Sequence, residues 1–551
     1  MDYNKLADIL YPDVKHDINY YFDKYPKRNI GKDAIITRFA PSPTGYLHVG
    51  GLFQSIIHQM LSRGAGSEFY LRLEDTDQKR EISDSGAALY YTLLDFDVEP
   101  TEGYRADLGD KGNYGPYKQS ERIEIYKTFA KYLVSRGNAF PCFCEKFEDK
   151  SDIVAKREQE IEDNNDTIDH DICRNLTLEE IEQKLKEGKP FALRLRSQGN
   201  PDNVFEIEDL VKGKRKIREN GKDVVLVKNN GVPVYAFAHC VDDTLMQTSI
   251  IVRGEDWFQS LACHLEIFKA FGFEPIQYLH TPNICKLEDG KKRKISKRKD
   301  PEADCRYYLK DGYPTTAVKE YLLNLVNSDF EEWRRENPTK SYLEFPFSIS
   351  KFGSGNPMFD FAKLNDISKD LISRLTAEQV YNNVLSWAEN NDKDFALLLE
   401  KNKDFAIKTF NIDRDTPKPR KDIYKWSMVK EYYNFMFEDF NNIDIDFSAV
   451  TNLENELICS IIDNYTELFN KELDKNSWFE NVKELASKYN FATDNKLYKA
   501  NPENYNGNVA SFCTLIRYAF TGKVNTPDLF EICNVLGIKE LQNRVNIIKN
   551  K

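Results

Sequence analysis

One stretch near the start of the chain constrains the fold more than any other. Residues 34–39 form a short apolar and β-branched run that reads as a buried strand. The loop Pro41-Ser42-Pro43-Thr44-Gly45 breaks it. Residues 52–63 then carry apolar side chains at helical spacing, and residues 68–73 read as a second strand. Strands joined through a helix run parallel, because the helix has to cross over the sheet. The segment therefore predicts a doubly wound α/β sheet. The loop lacks Gly-x-Gly-x-x-Gly, so the dinucleotide fold of dehydrogenases is not expected.

A second signal overlaps the first. The run Arg38-Phe39-Ala40-Pro41-Ser42-Pro43-Thr44-Gly45-Tyr46-Leu47-His48-Val49-Gly50-Gly51 reads as strand end, tight loop and helix start. Far downstream lies a short basic loop, Lys294-Ile295-Ser296-Lys297-Arg298. Between them stand Arg72-Leu73-Glu74-Asp75-Thr76-Asp77, Gly115-Pro116-Tyr117-Lys118-Gln119-Ser120-Glu121-Arg122, Val241-Asp242-Asp243 and Val252-Arg253-Gly254-Glu255-Asp256-Trp257. In this order they resemble the signatures of class I aminoacyl-tRNA synthetases, and most closely the bacterial-type glutamyl-tRNA synthetase family. That family ends its first motif without a second histidine, and Gly51 fits the variant. The resemblance runs from about residue 35 to the C-terminus and is stronger up to Lys299.

The resemblance implies a fold: a Rossmann-like parallel-sheet catalytic domain, an inserted acceptor-binding domain, then an all-α C-terminal anticodon-binding region. On this chain the expected boundaries are 1–33 for a helical N-terminal extension and 34–105 with 236–290 for the catalytic domain. The insert takes 106–235, the basic loop and stem-contact region 291–375, and the helical anticodon-binding domains 376–551. Within the insert, 145–163 and 176–187 read as helices, and 191–196 and 224–227 as strands. The sheet is expected to resume at 234–237 and 249–252. Helical periodicity is clear at 318–326, 377–387 and 457–468.

Composition bounds the alternatives. A chain of 551 residues is too long for one core. With 41% hydrophobic and 30% charged residues it is an ordinary globular protein, and no apolar run suits a membrane span. The first twelve residues lack the apolar region of a secretory signal. Ten scattered cysteines suit a reducing cytoplasm, so a cytoplasmic monomer is expected. The net charge of -12 does not favour nucleic acid, but local basic stripes at 212–222, 286–299 and 418–425 can.

The implied chemistry is attack of an amino-acid carboxylate on the α-phosphorus of ATP. Both reactants are anions, so positive charge and in-line positioning are needed and a nucleophilic side chain is not. The catalytic set is His48, Lys294 and Lys297. ATP would meet Thr44, His48, Gly50, Gly51, Lys294, Ser296 and Lys297: an imidazole at a helix N-terminus, glycines that admit the adenine, and flexible lysines that follow a moving pyrophosphate. Mg²⁺ arrives with the triphosphate. Glutamate carries two carboxylates and one ammonium, so its pocket should offer guanidinium forks and one carboxylate. The resemblance carries this onto Arg38, Ala40, Ser42, Glu74, Tyr235, His239 and Arg253. Arg38 would meet the side-chain carboxylate, Glu74 the α-amino group and Arg253 a carboxylate. An Arg38–Glu74 ion pair of purely structural role is the plainer alternative. His239 stands where the family often has Asn.

Cys142-x-Cys144 can open a zinc knuckle. The downstream counterpart is Cys173-Arg174-Asn175, and Asn is a poor ligand, so His170 would have to join Cys142, Cys144 and Cys173. Unliganded thiols are the expectation. In the C-terminal part, Arg420, with Tyr424 and Trp426 nearby, is the candidate anticodon contact.

The expected partners are tRNA(Glu), L-glutamate and ATP, with activation dependent on bound tRNA. A glutaminyl-tRNA synthetase is disfavoured because its C-terminal part is β-barrel. The short paralogue that glutamylates a modified tRNA base lacks anticodon domains. A non-catalytic relative would not need His48, Lys294 and Lys297.

Overall fold

The computed structural model describes residues 1–76, 84–144, 171–353, 355–469 and 472–550. They fall into two units, Met1–Tyr307 with Lys319–Phe359, and Tyr308–Val318 with Asp360–Lys551. The stretch 145–163, Asp77 and His170 lie outside the described residues.

In chain order the strands of the first unit are β1 (Ile36–Phe39), β2 (Glu68–Leu71), β3 (Glu102–Gly103), β4 (Ala139–Cys142), β5 (Ala192–Leu195), β6 (Val204–Asp209), β7 (Gly213–Arg218), β8 (Val225–Val227), β9 (Ile250–Gly254), β10 (Gln277–Thr281), β11 (Cys285–Glu288) and β12 (Lys291–Lys294). Its helices include α1 (Tyr3–Leu10), α2 (Ile18–Lys24), α3 (Val49–Leu61), α4 (Ser85–Asp95), α5 (Ile123–Ser135), α6 (Asp171–Arg174), α7 (Leu178–Lys186), α8 (Tyr235–Leu245) and α9 (Leu261–Phe271).

Strands β1 and β2 pair in parallel with Arg38 opposite Tyr70, as the strand–helix–strand pattern requires. The crossover helix α3 buries Val49, Leu52, Phe53, Ile56, Ile57 and Met60, a 3.6-residue stripe facing the sheet. The sheet has seven strands in the order β3-β2-β1-β9-β10-β6-β7. Every pair in it is parallel except the β6–β7 hairpin at the edge.

Two expectations change. Residues 234–237 are not a strand, because α8 starts at Tyr235 and buries Phe237, Val241 and Leu245 four residues apart. The expected insert, 106–235, is not one separate body. Its β6–β7 hairpin joins the main sheet through β10, leaving β4, β5 and β8 as a small antiparallel sheet. The N-terminal extension is helical as expected and is packed down: Leu6, Ala7 and Leu10 of α1 share a buried cluster with Phe129 and Leu133 of α5.

The second unit is helical throughout its described residues. The helix Ala377–Asn391 starts with a capping box, Thr376 with Gln379. Its side chains form two buried clusters, one around Val380, Phe395 and Trp426, the other around Ile461, Phe512 and Leu541.

Candidate active site

A cleft of about 320 Å³ opens where β1, β2 and β9 end, the edge at which parallel sheets present loops and helix N-termini to ligands. Arg38 comes from β1, Glu74 follows β2, Arg253 comes from β9, and Tyr235 begins α8. Ala40, Ser42, His48, Gly50 and Gly51 line the same cleft, as does Lys294 at the end of β12. Residues some two hundred positions apart thus share one wall. Thr44, Ser296 and Lys297 do not line it.

His48 is the N-cap of α3, its Nδ1 accepting from the Gly50 backbone at 2.9 Å. Its ring is also hydrogen-bonded to the Ile295 backbone; burial first, then Lys297 and Lys294, push the imidazole down to about 4. It is a neutral ring at physiological pH, not a cation for phosphate. The two glycines have a further reason besides an approaching adenine. A Cβ on Gly51 would stand 3.0 Å from Leu47 and 3.2 Å from Phe39, and one on Gly50 would stand 3.1 Å from the His48 ring.

The basic loop rests on the first motif. Lys297 Nζ donates to the Tyr46 carbonyl, and Lys294 pairs with Asp256 at the cleft. The Ser296 backbone donates to Asp300, which Arg293 also grips.

Beneath the cleft lies a charged network that sequence reading left without a role. Glu74 pairs with Arg72, not with Arg38, at 3.0 Å. Arg72 and Arg38 both reach Asp243, at 2.7 and 3.1 Å. Burial would raise the Asp243 carboxyl, but Arg38 and Arg72 outweigh it and hold it well below the usual range. Asp242 takes Arg122, Gln119 and Tyr126. The motif blocks at 72–76, 115–122 and 241–243 therefore meet in space, and Asp242 and Asp243 organise them. The signal was present: two adjacent acids on an otherwise apolar helix.

Two features of this network point outward. Arg38 Nη2 is buried and has no hydrogen-bond partner among the described residues. Glu74 is pushed up to about 7 by burial, which Arg72 and Arg38 offset only in part. An unused guanidinium donor and a desolvated carboxylate suit a ligand with an anion and a cation. His239 does not reach the wall: it is fully buried behind Tyr235, ring centroids 4.9 Å apart, and bonds Asp243 at 3.2 Å.

The ligating atoms of Cys142, Cys144 and Cys173 all lie within 4.8 Å of one another. Cys144 Sγ is 3.5 Å from Cys142 and 3.7 Å from Cys173. Thiolates about 2.3 Å from a tetrahedral zinc stand roughly 3.8 Å apart, so the three fit three corners of such a site. In the second unit Arg420 Nε is tied to Asp422 at 2.6 Å, and Tyr432 also holds Asp422. Trp426 is buried in the core, so it offers no face to a base. The basic stripes are laced with acid: Lys214 pairs with Glu206, Lys286 with Glu302, Lys421 with Asp370 and Lys425 with Asp311.

A family model described as tRNA synthetases class I (E and Q), catalytic domain, matches residues 34–345, so the chain belongs to the class I tRNA synthetases of that type. A glutamate–tRNA ligase of Clostridium perfringens (strain 13 / Type A) is 40% identical over 550 residues, covering 99% of this chain and 100% of the relative. One from Acetivibrio thermocellus is 40% identical over 549 residues, covering 99% of each. Within the class, the chain belongs to the glutamate–tRNA ligase family. A glutamate tRNA ligase from Elizabethkingia meningosepticum, solved in complex with its amino acid, shares the fold. Its TM-score is 0.72 at 23% identity, covering 94% of this chain and 99% of that one.

Proposed function

We infer that the chain attaches L-glutamate to tRNA(Glu) in two steps. The observation that carries this is the convergence of Arg38, Glu74, Tyr235 and Arg253 with His48, Gly50 and Lys294 on one cleft. The free Nη2 of Arg38 takes the side-chain carboxylate, Glu74 the ammonium, and Arg253 the α-carboxylate, which Tyr235 helps to seat. Held this way, a carboxylate oxygen attacks the α-phosphorus of ATP. An O–P bond forms, the bond to the bridging oxygen breaks, and pyrophosphate leaves. Lys294 and Lys297 exchange Asp256 and the Tyr46 carbonyl for phosphate oxygens and offset the charge that grows there. Neutral His48 holds the start of α3 and contributes a hydrogen bond rather than charge. Mg²⁺ enters with the nucleotide as part of the substrate.

In the second step the 2′-hydroxyl of the terminal adenosine attacks the glutamyl carbonyl and forms the ester C–O bond; the bond from that carbon to the adenylate oxygen breaks, AMP leaves with the oxygen, and the hydroxyl proton is released. The small β4-β5-β8 sheet with α5 to α7 is the acceptor-binding part, and the helical unit reads the anticodon, with Arg420 as a contact. The chain's ten cysteines, none of them in a disulfide among the described residues, suit a cytoplasmic protein, and we read it as working as a monomer. Against the expectation of unliganded thiols, the clustering of Cys142, Cys144 and Cys173 supports a structural zinc in the acceptor-binding part.

Aminoacylation with glutamate or glutamine, each with tRNA(Glu) or tRNA(Gln), tests the reading. Charging of tRNA(Glu) with glutamate is expected, and acceptance of tRNA(Gln) would mark a non-discriminating enzyme. Charging with glutamine alone would overturn the assignment.

A further inference from the structure

Arg253 is held unlike the other arginines of the cleft. Arg38 and Arg72 both lie against Asp243. Arg253 is also buried, yet among the described residues its three hydrogen bonds all go to groups without negative charge. Nε donates to His280 Nε2 at 3.0 Å, Nη1 to His264 Nδ1 at 2.8 Å, and Nη2 to the Trp257 carbonyl at 3.3 Å. Its guanidinium also sits 4.6 Å from the Tyr278 ring centroid. A guanidinium has donors only, so both imidazole nitrogens facing it are unprotonated acceptors.

His280 continues a chain. Its Nδ1–H donates to Asp209 Oδ2 at 2.6 Å, and its backbone N–H reaches the same oxygen at 3.2 Å. The other carboxylate oxygen, Oδ1, accepts from the Val211 and Lys212 backbone at 3.0 and 2.8 Å. Four donors converge on Asp209, which therefore fixes the His280 tautomer with Nε2 free to accept from Arg253. Asp209 ends β6, the hairpin strand that joins the main sheet from within the expected insert.

We propose that Asp209, His280 and His264 are positioning residues that hold Arg253 in place while leaving its positive charge uncompensated for a carboxylate of the amino-acid substrate. This rests on the reading of Arg253 as a glutamate contact. The physical point is the choice of acceptor. A cation already paired with a carboxylate attracts a second anion weakly. One held by imidazoles and a carbonyl is just as rigid and keeps its attraction in a desolvated site. The edge hairpin then has a part in the active site, because it delivers the carboxylate that sets the tautomer.

Asp209→Asn tests this with almost no change of shape. The amide oxygen has to stay on the Val211 and Lys212 amides, so the NH₂ faces His280. Nδ1 must then accept, the proton moves to Nε2, and Nε2–H meets the Arg253 Nε–H donor to donor. In tRNA-saturated aminoacylation the KM for glutamate should rise at least about tenfold, with the KM for ATP within about twofold. His264→Leu should raise the glutamate KM similarly, and His264→Asn, whose Oδ1 stands where Nδ1 stood and can accept from Nη1, should stay within about threefold of wild type. Should Asp209→Asn not fold, the two His264 variants carry the test alone. A wild-type glutamate KM in the folded Asp209→Asn and His264→Leu proteins would overturn the proposal. So would a parallel rise in both KM values, or a failure of His264→Asn to rescue. If the wild-type protein does not charge glutamate at all, it is the substrate reading that falls, and this inference with it.

Discussion

Arg72 bridges Glu74 and Asp243, with Nη2 3.0 Å from one carboxylate and Nη1 2.7 Å from the other. It stands between the acid that lines the cleft and the acid buried beneath it. Asp243 also takes Arg38, so the two arginines share one counter-ion and Arg38 keeps a free donor on the ligand side. The cleft is thereby left able to take up another anion.

Glu74 makes glutamate binding pH-dependent. Its carboxyl is raised to about 7 by burial, so below that pH the empty site holds a proton that a substrate ammonium must displace. Binding is full strength above about 7 and lost as pH falls. The KM for glutamate should rise by roughly tenfold per pH unit well below 7. A steady-state series from pH 5.5 to 8.5 checks this, and Glu74→Gln should flatten the profile while raising KM throughout.

Lys297→Ala should act on turnover. Among the described residues this ammonium donates only to a neutral carbonyl, that of Tyr46, so its removal costs the fold little. Loss of a cation that meets the triphosphate in the transition state should lower kcat by about 10²- to 10³-fold. Single-turnover charging beside a thermal melt separates the two effects, and charging at the wild-type rate would contradict the role assigned to Lys297.

The N-terminal extension should be integral to the fold. Arg28 Nη1 and Nη2 each lie 2.9 Å from Glu102, on the sheet-edge strand β3, and the guanidinium stacks 4.0 Å from the Tyr114 ring centroid. Arg28→Ala leaves a buried carboxylate unpaired, a cost of about 3–5 kcal/mol. Chemical denaturation should show the first unfolding transition displaced by that amount.

Zinc content is directly measurable. Burial, then the Cys142 and Cys173 thiols, push Cys144 up to about 12, so without a cation it stays protonated. Zinc would convert the cluster to thiolates and close it. Elemental analysis of the purified protein should give about one zinc per chain, falling sharply in Cys144→Ser. Well under one zinc in the unmodified protein would return the cluster to plain thiols.

The sequence by itself determined the parallel β1–α3–β2 unit, since its apolar periodicities and the Pro- and Gly-marked loop leave little else. The family resemblance singled out Arg38, Glu74, Tyr235, Arg253, His48 and Lys294, and the structure brings them to one cleft. The tertiary structure decided which charges meet. Arg72 rather than Arg38 pairs with Glu74, Asp243 is shared, His239 lies behind Tyr235, and Asp209 reaches Arg253 through His280. Pairing among buried ions depends on side chains brought together from β1, β2, α8, β9 and β10. Periodicity shows which residues face inward on each element but carries no information about their partner across a sheet. That is also why the hairpin at 204–218 looked like part of an insert and proved to be an edge of the catalytic sheet.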